Sequence, residues 1–176
     1  MTLSELSTRL AERRIPHAVI GALALSAHGV VRASDDIDVL VTDGRCLEPS
    51  TWNDIGPGTT VEIRRGEADD PLAGLVRLTP SHGTPIDVVV GRGRWQDEIL
   101  TRSRPMHFLG TSVPVVSPSD FVLLKLYAGG PQDAWDVDQL LDAIPGIESE
   151  VAARLAALPD ECRKLWRRIV DTRSGP

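Results

Sequence analysis

Residues 36–41 read Asp-Ile-Asp-Val-Leu-Val, alternating acidic and apolar side chains before turning wholly apolar. That alternation is strand behaviour, and it constrains the fold strongly. Side chains two apart on a strand share a face, separated by about 6.5–7 Å along the chain. Asp36 and Asp38 therefore project together, while Ile37 and Val39 face the other way. Two carboxylates on one face repel each other, and a divalent cation resolves the conflict. A third acidic residue, Asp87, interrupts the apolar run Ile86-Asp87-Val88-Val89-Val90, where a lone carboxylate is costly to bury. If the two strands are neighbours, three carboxylates converge. The plainer alternative leaves Asp36 and Asp38 solvated at a strand mouth and pairs Asp87 with an arginine.

The segments around these strands set the fold class. Leu3, Leu6 and Leu10 recur at helical spacing, with Ser4 as a candidate N-cap, which predicts a helix over 3–14 stopped by Pro16. His17–Ile20 reads as a buried strand ending on Gly21, and 22–29 as a helix finishing in Gly29. Residues 43–60 form a long connection, 61–63 and 74–78 are strand candidates, and 95–101 is a short helix. Residues 106–109 and 113–116 form a hairpin across Gly110-Thr111, with Pro114 confining its strand to an edge. Beyond Pro118 only helices follow, about 119–127, 132–142, 147–157 and 160–170, with 171–176 expected to fray. The order predicts an α+β protein: a mixed-sheet core over 1–116 and a helical C-terminal part over 117–176.

Gly21-Ala22 lies between a strand and a helix, where backbone N–H groups approach a phosphate closely. A strand, a glycine turn, a helix and then Asp-x-Asp places a phosphate cradle beside metal ligands, an arrangement suited to phosphoryl or nucleotidyl transfer. As plain structure, Gly21 only turns the chain and Ala22 only packs.

Composition bounds the partners. The net charge of −6 argues against a broad basic surface that coats nucleic acid. Local clusters remain (Arg92, Arg94, Arg102 and Arg104; Arg163, Lys164, Arg167 and Arg168), read first as solvated helix faces. Aromatics are only 4% of residues, so Leu, Val, Ile and Ala must build the core, with Trp135 and Trp166 joining it. Cys46 and Cys162 match no zinc or redox spacing, and His17, His28, His82 and His107 show no ligand spacing among themselves. No apolar run approaches the ~18–20 residues of a membrane span, and the amphipathic N-terminus lacks a signal-peptide core. A cytoplasmic protein is expected, with no membrane partner.

The stretch Val19-Ile20-Gly21-Ala22-Leu23-Ala24, continuing through His28-Gly29 and Arg32-Ala33-Ser34-Asp35-Asp36-Ile37-Asp38, resembles the DNA polymerase β-like nucleotidyltransferase superfamily. More narrowly, it looks like the bacterial abortive-infection (AbiEii-type) and related minimal nucleotidyltransferases. The later segment Ser117-Pro118-Ser119-Asp120, Leu124-Lys125-Leu126 and Asp133-x-x-Asp136-x-x-x-Leu140 is similar to their helical motif. The resemblance spans about 15–142. It implies that Asp36 and Asp38 hold two Mg²⁺ ions and that Asp87 joins one of them and helps activate an incoming hydroxyl. It further implies that Gly21 and Ala22 cradle an NTP triphosphate, with Arg32 and Ser34 near it and Lys125 as a point charge. Asp133 and Asp136 are read as structural or as orienting Lys125. Ala22 stands where glycine or serine is usual, and Ser34 where threonine is common. The activity implied is transfer of an NMP from an NTP to an RNA end, a protein hydroxyl or a small molecule. A toxin of a toxin–antitoxin pair is one such setting. The alternative is a non-catalytic nucleotide-binding or antitoxin-like partner on the same scaffold.

Overall fold

The computed structural model describes residues 1–108 and 110–173. The chain divides into two compact units, 1–24 with 32–116, and 25–31 with 117–176.

The first unit is built on a seven-stranded mixed sheet. Helix α1 (Leu3–Glu12) is followed by β1 (His17–Ile20), the start of α2 (Gly21–Ala27, assigned to the second unit from residue 25 on) and β2 (Ile37–Val41). Two 3-10 turns lead to β3 (Thr59–Arg65), β4 (Gly74–Pro80) and β5 (Ile86–Val90). Helix α3 (Arg94–Arg102), β6 (Arg104–Phe108) and β7 (Thr111–Val115) complete it. The strand order is β3-β4-β5-β2-β1-β7-β6. Strands β2 and β5 run parallel at the centre, and β4 lies antiparallel to β5. One face of the sheet is apolar: Val39, Val41, Val76, Leu78, Ile86, Val88 and Val90 pack with Leu6 and Leu10 of α1 and with Trp52. The period-2 pattern of β2 and β5 therefore leaves Asp38 and Asp87 on the opposite face.

The α+β architecture matches expectation, and several local details correct it. The cap of α1 is Thr2, not Ser4: Thr2 Oγ1 accepts from Glu5 N at 3.2 Å while Thr2 N donates to Glu5 Oε2 at 2.7 Å. That reciprocal capping box outcompetes a lone serine one turn in. Pro114 does not lie on an edge strand, because β7 sits between β1 and β6. The β1–β7 ladder is a single registered pair, Val19↔Val115, so few bonds need the donor that proline lacks. Pro105 faces Pro114 from the true edge strand, β6. Leu109, expected to end that strand, is outside the described residues.

The second unit carries α4 (Pro118–Ala128), α5 (Pro131–Ala143), α6 (Ile147–Arg154) and α7 (Asp160–Arg173). Ser117 caps α4, and Gly129, at φ 72°, closes it. The buried stripe of α5 is Asp136, Val137, Leu140 and Leu141. Trp135 falls beside that stripe and is 45% exposed, against the expectation that it joins the core, whereas Trp166 is buried. Of the expected frayed end, 171–173 are helical, and Arg173 is tied to Asp138 and Asp142 at 2.5 Å each; 174–176 are outside the described residues. Among the described residues no helix is long and apolar enough to cross a membrane.

Ile86 is fully buried, so Ile86→Ala should cost about 2–5 kcal/mol in urea unfolding. Trp135→Ala should fall within about 0.5 kcal/mol of the parent.

Candidate functional site

The β2–β5 register places Asp38 directly beside Asp87. The same transverse row continues to Ile20 on β1 and, on the other side, to Arg77 on β4 and Glu62 on β3. Adjacent strands are about 4.8 Å apart, so two carboxylates stand side by side on one face of the sheet. Asp36 immediately precedes β2. Its Oδ1 accepts a hydrogen bond from Ser34 Oγ at 2.9 Å.

Gly21 is fitted to this row. Its φ is 65°, a conformation costly for residues with a Cβ. A Cβ there would sit 2.0 Å from Asp38 Oδ2 and 2.8 Å from its Cγ. Backbone and carboxylate therefore approach each other only because the residue is glycine. Ala22 is 3% exposed, so its methyl packs inward and it offers a ligand only its backbone. Ser34 is exposed and Arg32 half-buried in the segment leading to β2. Lys125 belongs to the second unit, where its Nζ lies 2.8 Å from both Asp133 Oδ1 and Asp136 Oδ2 and 5.5 Å from the centroid of Phe121.

Asp87 is 8% exposed. Burial pushes its carboxyl above the usual range, the Arg77 guanidinium pulls it back, and Asp36 raises it again. Arg77 Nη1 donates to Asp87 Oδ2 at 3.1 Å, and Nη2 lies 3.7 Å from Asp36 Oδ2. Asp87 Oδ1, by contrast, is buried with no hydrogen-bond partner. A buried orphan oxygen on an acidic side chain is costly, and it points to a group that this donor set would receive. Two registered carboxylates, one with an unsatisfied oxygen, suit Mg²⁺, which takes one or two carboxylates and completes its shell with water and phosphate oxygens. Among the described residues no three His, Cys, Asp or Glu side chains gather tightly enough to hold a metal by themselves. The Asp38–Asp87 pair is thus the candidate ligand set, with Asp36 drawn towards Arg77 and Ser34.

No protein-family model matches the chain, and no curated protein matches its sequence. Solved structures do. A Thermotoga maritima protein described as a candidate nucleotidyltransferase is similar over 81% of this chain and 91% of its own, with a TM-score of 0.56 and 16% identity. A nucleotidyltransferase-like antigenic protein from Paracoccidioides brasiliensis is similar over 93% of this chain and 89% of its own, with a TM-score of 0.53 and 15% identity. The fold is the nucleotidyltransferase fold. A fold hosts many chemistries, so roles must be argued from the site itself.

In this nucleotidyltransferase fold Arg77 is the residue that sequence reasoning did not name. An arginine partner for Asp87 was one of the two readings open, but not which arginine. A signal existed: folding 74–90 about His82 sets Arg77 opposite Asp87, as the β4–β5 register does. The histidines stay out of the site row. His17 is buried, with Nε2 2.7 Å from Ser7 Oγ and Nδ1 3.0 Å from Ile15 O. Arg92 donates to the carbonyls of Glu67, Ala68 and Leu72, and Arg163 pairs with Asp160. Both are structural uses of residues in the basic clusters.

Two outcomes follow. Gly21→Ala should destabilise by about 1–2 kcal/mol through its left-handed backbone, measured by urea unfolding, and should displace the Asp38 carboxylate. A carboxyl held above its usual range favours the folded state when protonated and opposes it when ionised. Asp87→Asn should therefore raise the melting temperature at pH 7 in metal-free buffer, and the gain should shrink as pH falls towards about 4.

Proposed function

We propose that this chain is a divalent-metal-dependent nucleotidyltransferase that moves an NMP from an NTP to a hydroxyl acceptor. The observation that carries the reading is the Asp38–Asp87 register, with the orphan Oδ1 of Asp87 beside it. In the reaction an acceptor oxygen attacks the α-phosphorus, the bond to the β-phosphate oxygen breaks, pyrophosphate leaves, and the hydroxyl proton is taken up by a base. A bound pair of Mg²⁺ ions would neutralise the triphosphate and the developing charge on the attacking and leaving oxygens. Asp38 and Asp87 would hold the cations, and Asp36, now beside Arg77, would complete the set. Asp87, nearly buried beside Asp38, is the carboxylate placed to help activate the incoming hydroxyl. Gly21 and Ala22 present backbone N–H groups to the triphosphate, and Arg32 and Ser34 stand in the segment that reaches it.

Residues 1–116 carry this chemistry in our reading, and 117–176 form the helical part. Lys125, engaged by two carboxylates, has a structural role that comes before any contact with phosphate. In this reading the acceptor is an RNA end, a protein hydroxyl or a small molecule, and a toxin with its antitoxin is one setting that the AbiEii-type resemblance suggests.

The second reading, a nucleotide-binding partner without turnover, is favoured by one observation: Arg77 already gives Asp87 and Asp36 a shared cationic partner. Pyrophosphate release from each NTP with Mg²⁺, across the three acceptor classes, separates the two. The transferase reading expects release with one nucleotide, reduced at least about 100-fold in Asp38→Asn, the scale on which removing a key charge-stabilising group acts. Nucleotide binding without release by the parent chain supports the second reading instead.

A further inference from the structure

We propose that Arg77 is the resident counter-cation of the carboxylate site and that a divalent ion must displace its guanidinium to bind. This rests on the metal-dependent reading above and adds a control element to it.

The geometry of the fork carries the inference. Arg77 places one terminal nitrogen on Asp87 Oδ2 at 3.1 Å and the other 3.7 Å from Asp36 Oδ2. One guanidinium thus spans two carboxylates, one of them Asp87 of the candidate ligand pair. The planar, delocalised fork is suited to such a bridge, whereas an ammonium is a single point charge. Register makes the placement obligatory: Arg77 is the cross-strand partner of Asp87 on β4, as Asp38 is on β2. Asp87 is flanked in its row by one like charge and one opposite charge, so the sheet supplies half of the neutralisation that two carboxylates require.

Arg77 offsets part of the row's negative charge without satisfying its oxygens. Asp87 Oδ1 keeps no hydrogen-bond partner, and Asp36 is reached only at the longer distance. The Arg77 side chain is 38% exposed, so water can receive the guanidinium when it leaves. The resting pair is partly solvated and therefore modest in strength, which makes it displaceable. A divalent charge placed against the same carboxylates also repels the guanidinium directly. Binding of the ion and departure of Arg77 are then one equilibrium, and the free energy of the Arg77 contacts is subtracted from that of the metal. Once released, the fork is available to an anionic phosphate oxygen, so nucleotide should strengthen metal binding in the parent by holding Arg77 in its displaced position.

The test uses Mn²⁺ alone as probe, followed by electron paramagnetic resonance or calorimetry, on the parent chain, Arg77→Met, Arg77→Lys and Arg64→Met. Arg77→Met should bind Mn²⁺ about tenfold tighter than the parent, and adding NTP should improve its affinity less than it improves the parent's. Arg77→Lys should lie between, since its shorter point charge cannot span both carboxylates. Arg64→Met removes a charge that Asp87 feels only at a distance, so it should change affinity by no more than about twofold. Equal or weaker Mn²⁺ binding by Arg77→Met, with parent and variant both binding, overturns the inference and leaves the metal-dependent reading standing. Equal tightening by Arg64→Met and Arg77→Met also overturns it, because a general charge effect then suffices. Absence of Mn²⁺ binding in every chain overturns both. Arg77→Lys keeps the test open should Arg77→Met fail to fold.

Discussion

Parallel pairing of β2 with β5 forces Asp38 and Asp87 into neighbouring positions on one face of a sheet whose other face is the apolar core. A sheet has no freedom to separate them, because a one-residue slip would turn Val39, Val41, Ile86 and Val88 away from that core. The hydrophobic register and the electrostatic conflict are therefore the same fact. Burial of Ile86, Val88 and Val90 holds the strand that carries Asp87, and the favourable packing of one face sustains an unfavourable pairing on the other. Strain of this kind concentrates where a protein meets a ligand.

The neighbouring residues then follow as responses to that pairing. Gly21, in the left-handed region, lets the backbone before α2 lie against Asp38 where a Cβ could not. Arg77 sits across the row and draws Asp36 and Asp87 together through a single guanidinium. Ser34 donates to the other oxygen of Asp36. What remains is Asp87 Oδ1, buried and unpaired. In this account the free energy gained by satisfying that oxygen contributes to ligand binding, which links the core packing of the sheet to function.

Much of this was legible in the sequence. The strands over 37–41 and 86–90 were plain because each carries an acidic residue in an otherwise apolar run, and the helical C-terminal stretch was marked by its Pro and Gly punctuation. The like-charge pairing needed one further fact, that β2 and β5 are neighbours, which period-2 patterning cannot supply. Arg77 stayed hidden as a specific partner because a charged residue at the centre of Gly74–Pro80 reads as a solvated strand position until the hairpin about His82 is formed. Thr2 was passed over because cap competition depends on Glu5 reaching back. Pro114 misled because edge confinement assumes a full ladder on both sides, and β1 provides one registered pair. Trp135 was assigned inward because its helix reads as amphipathic, while the buried stripe of that helix runs through the next residue, Asp136, which ion-pairs with Lys125.

The central claim is that Asp38 and Asp87 together receive a metal–nucleotide complex. Thermal unfolding with Mg²⁺ plus each NTP in turn, on the parent chain and on the Asp38→Asn/Asp87→Asn variant, tests it most directly. A ligand that binds only the folded state at 100 times its Kd stabilises by about 2.7 kcal/mol, which for a chain of this length raises the melting temperature by several degrees. The account predicts such a rise in the parent for one nucleotide, dependent on Mg²⁺ and absent from the variant. An equal rise in parent and variant, or none in the parent with any nucleotide, would contradict it.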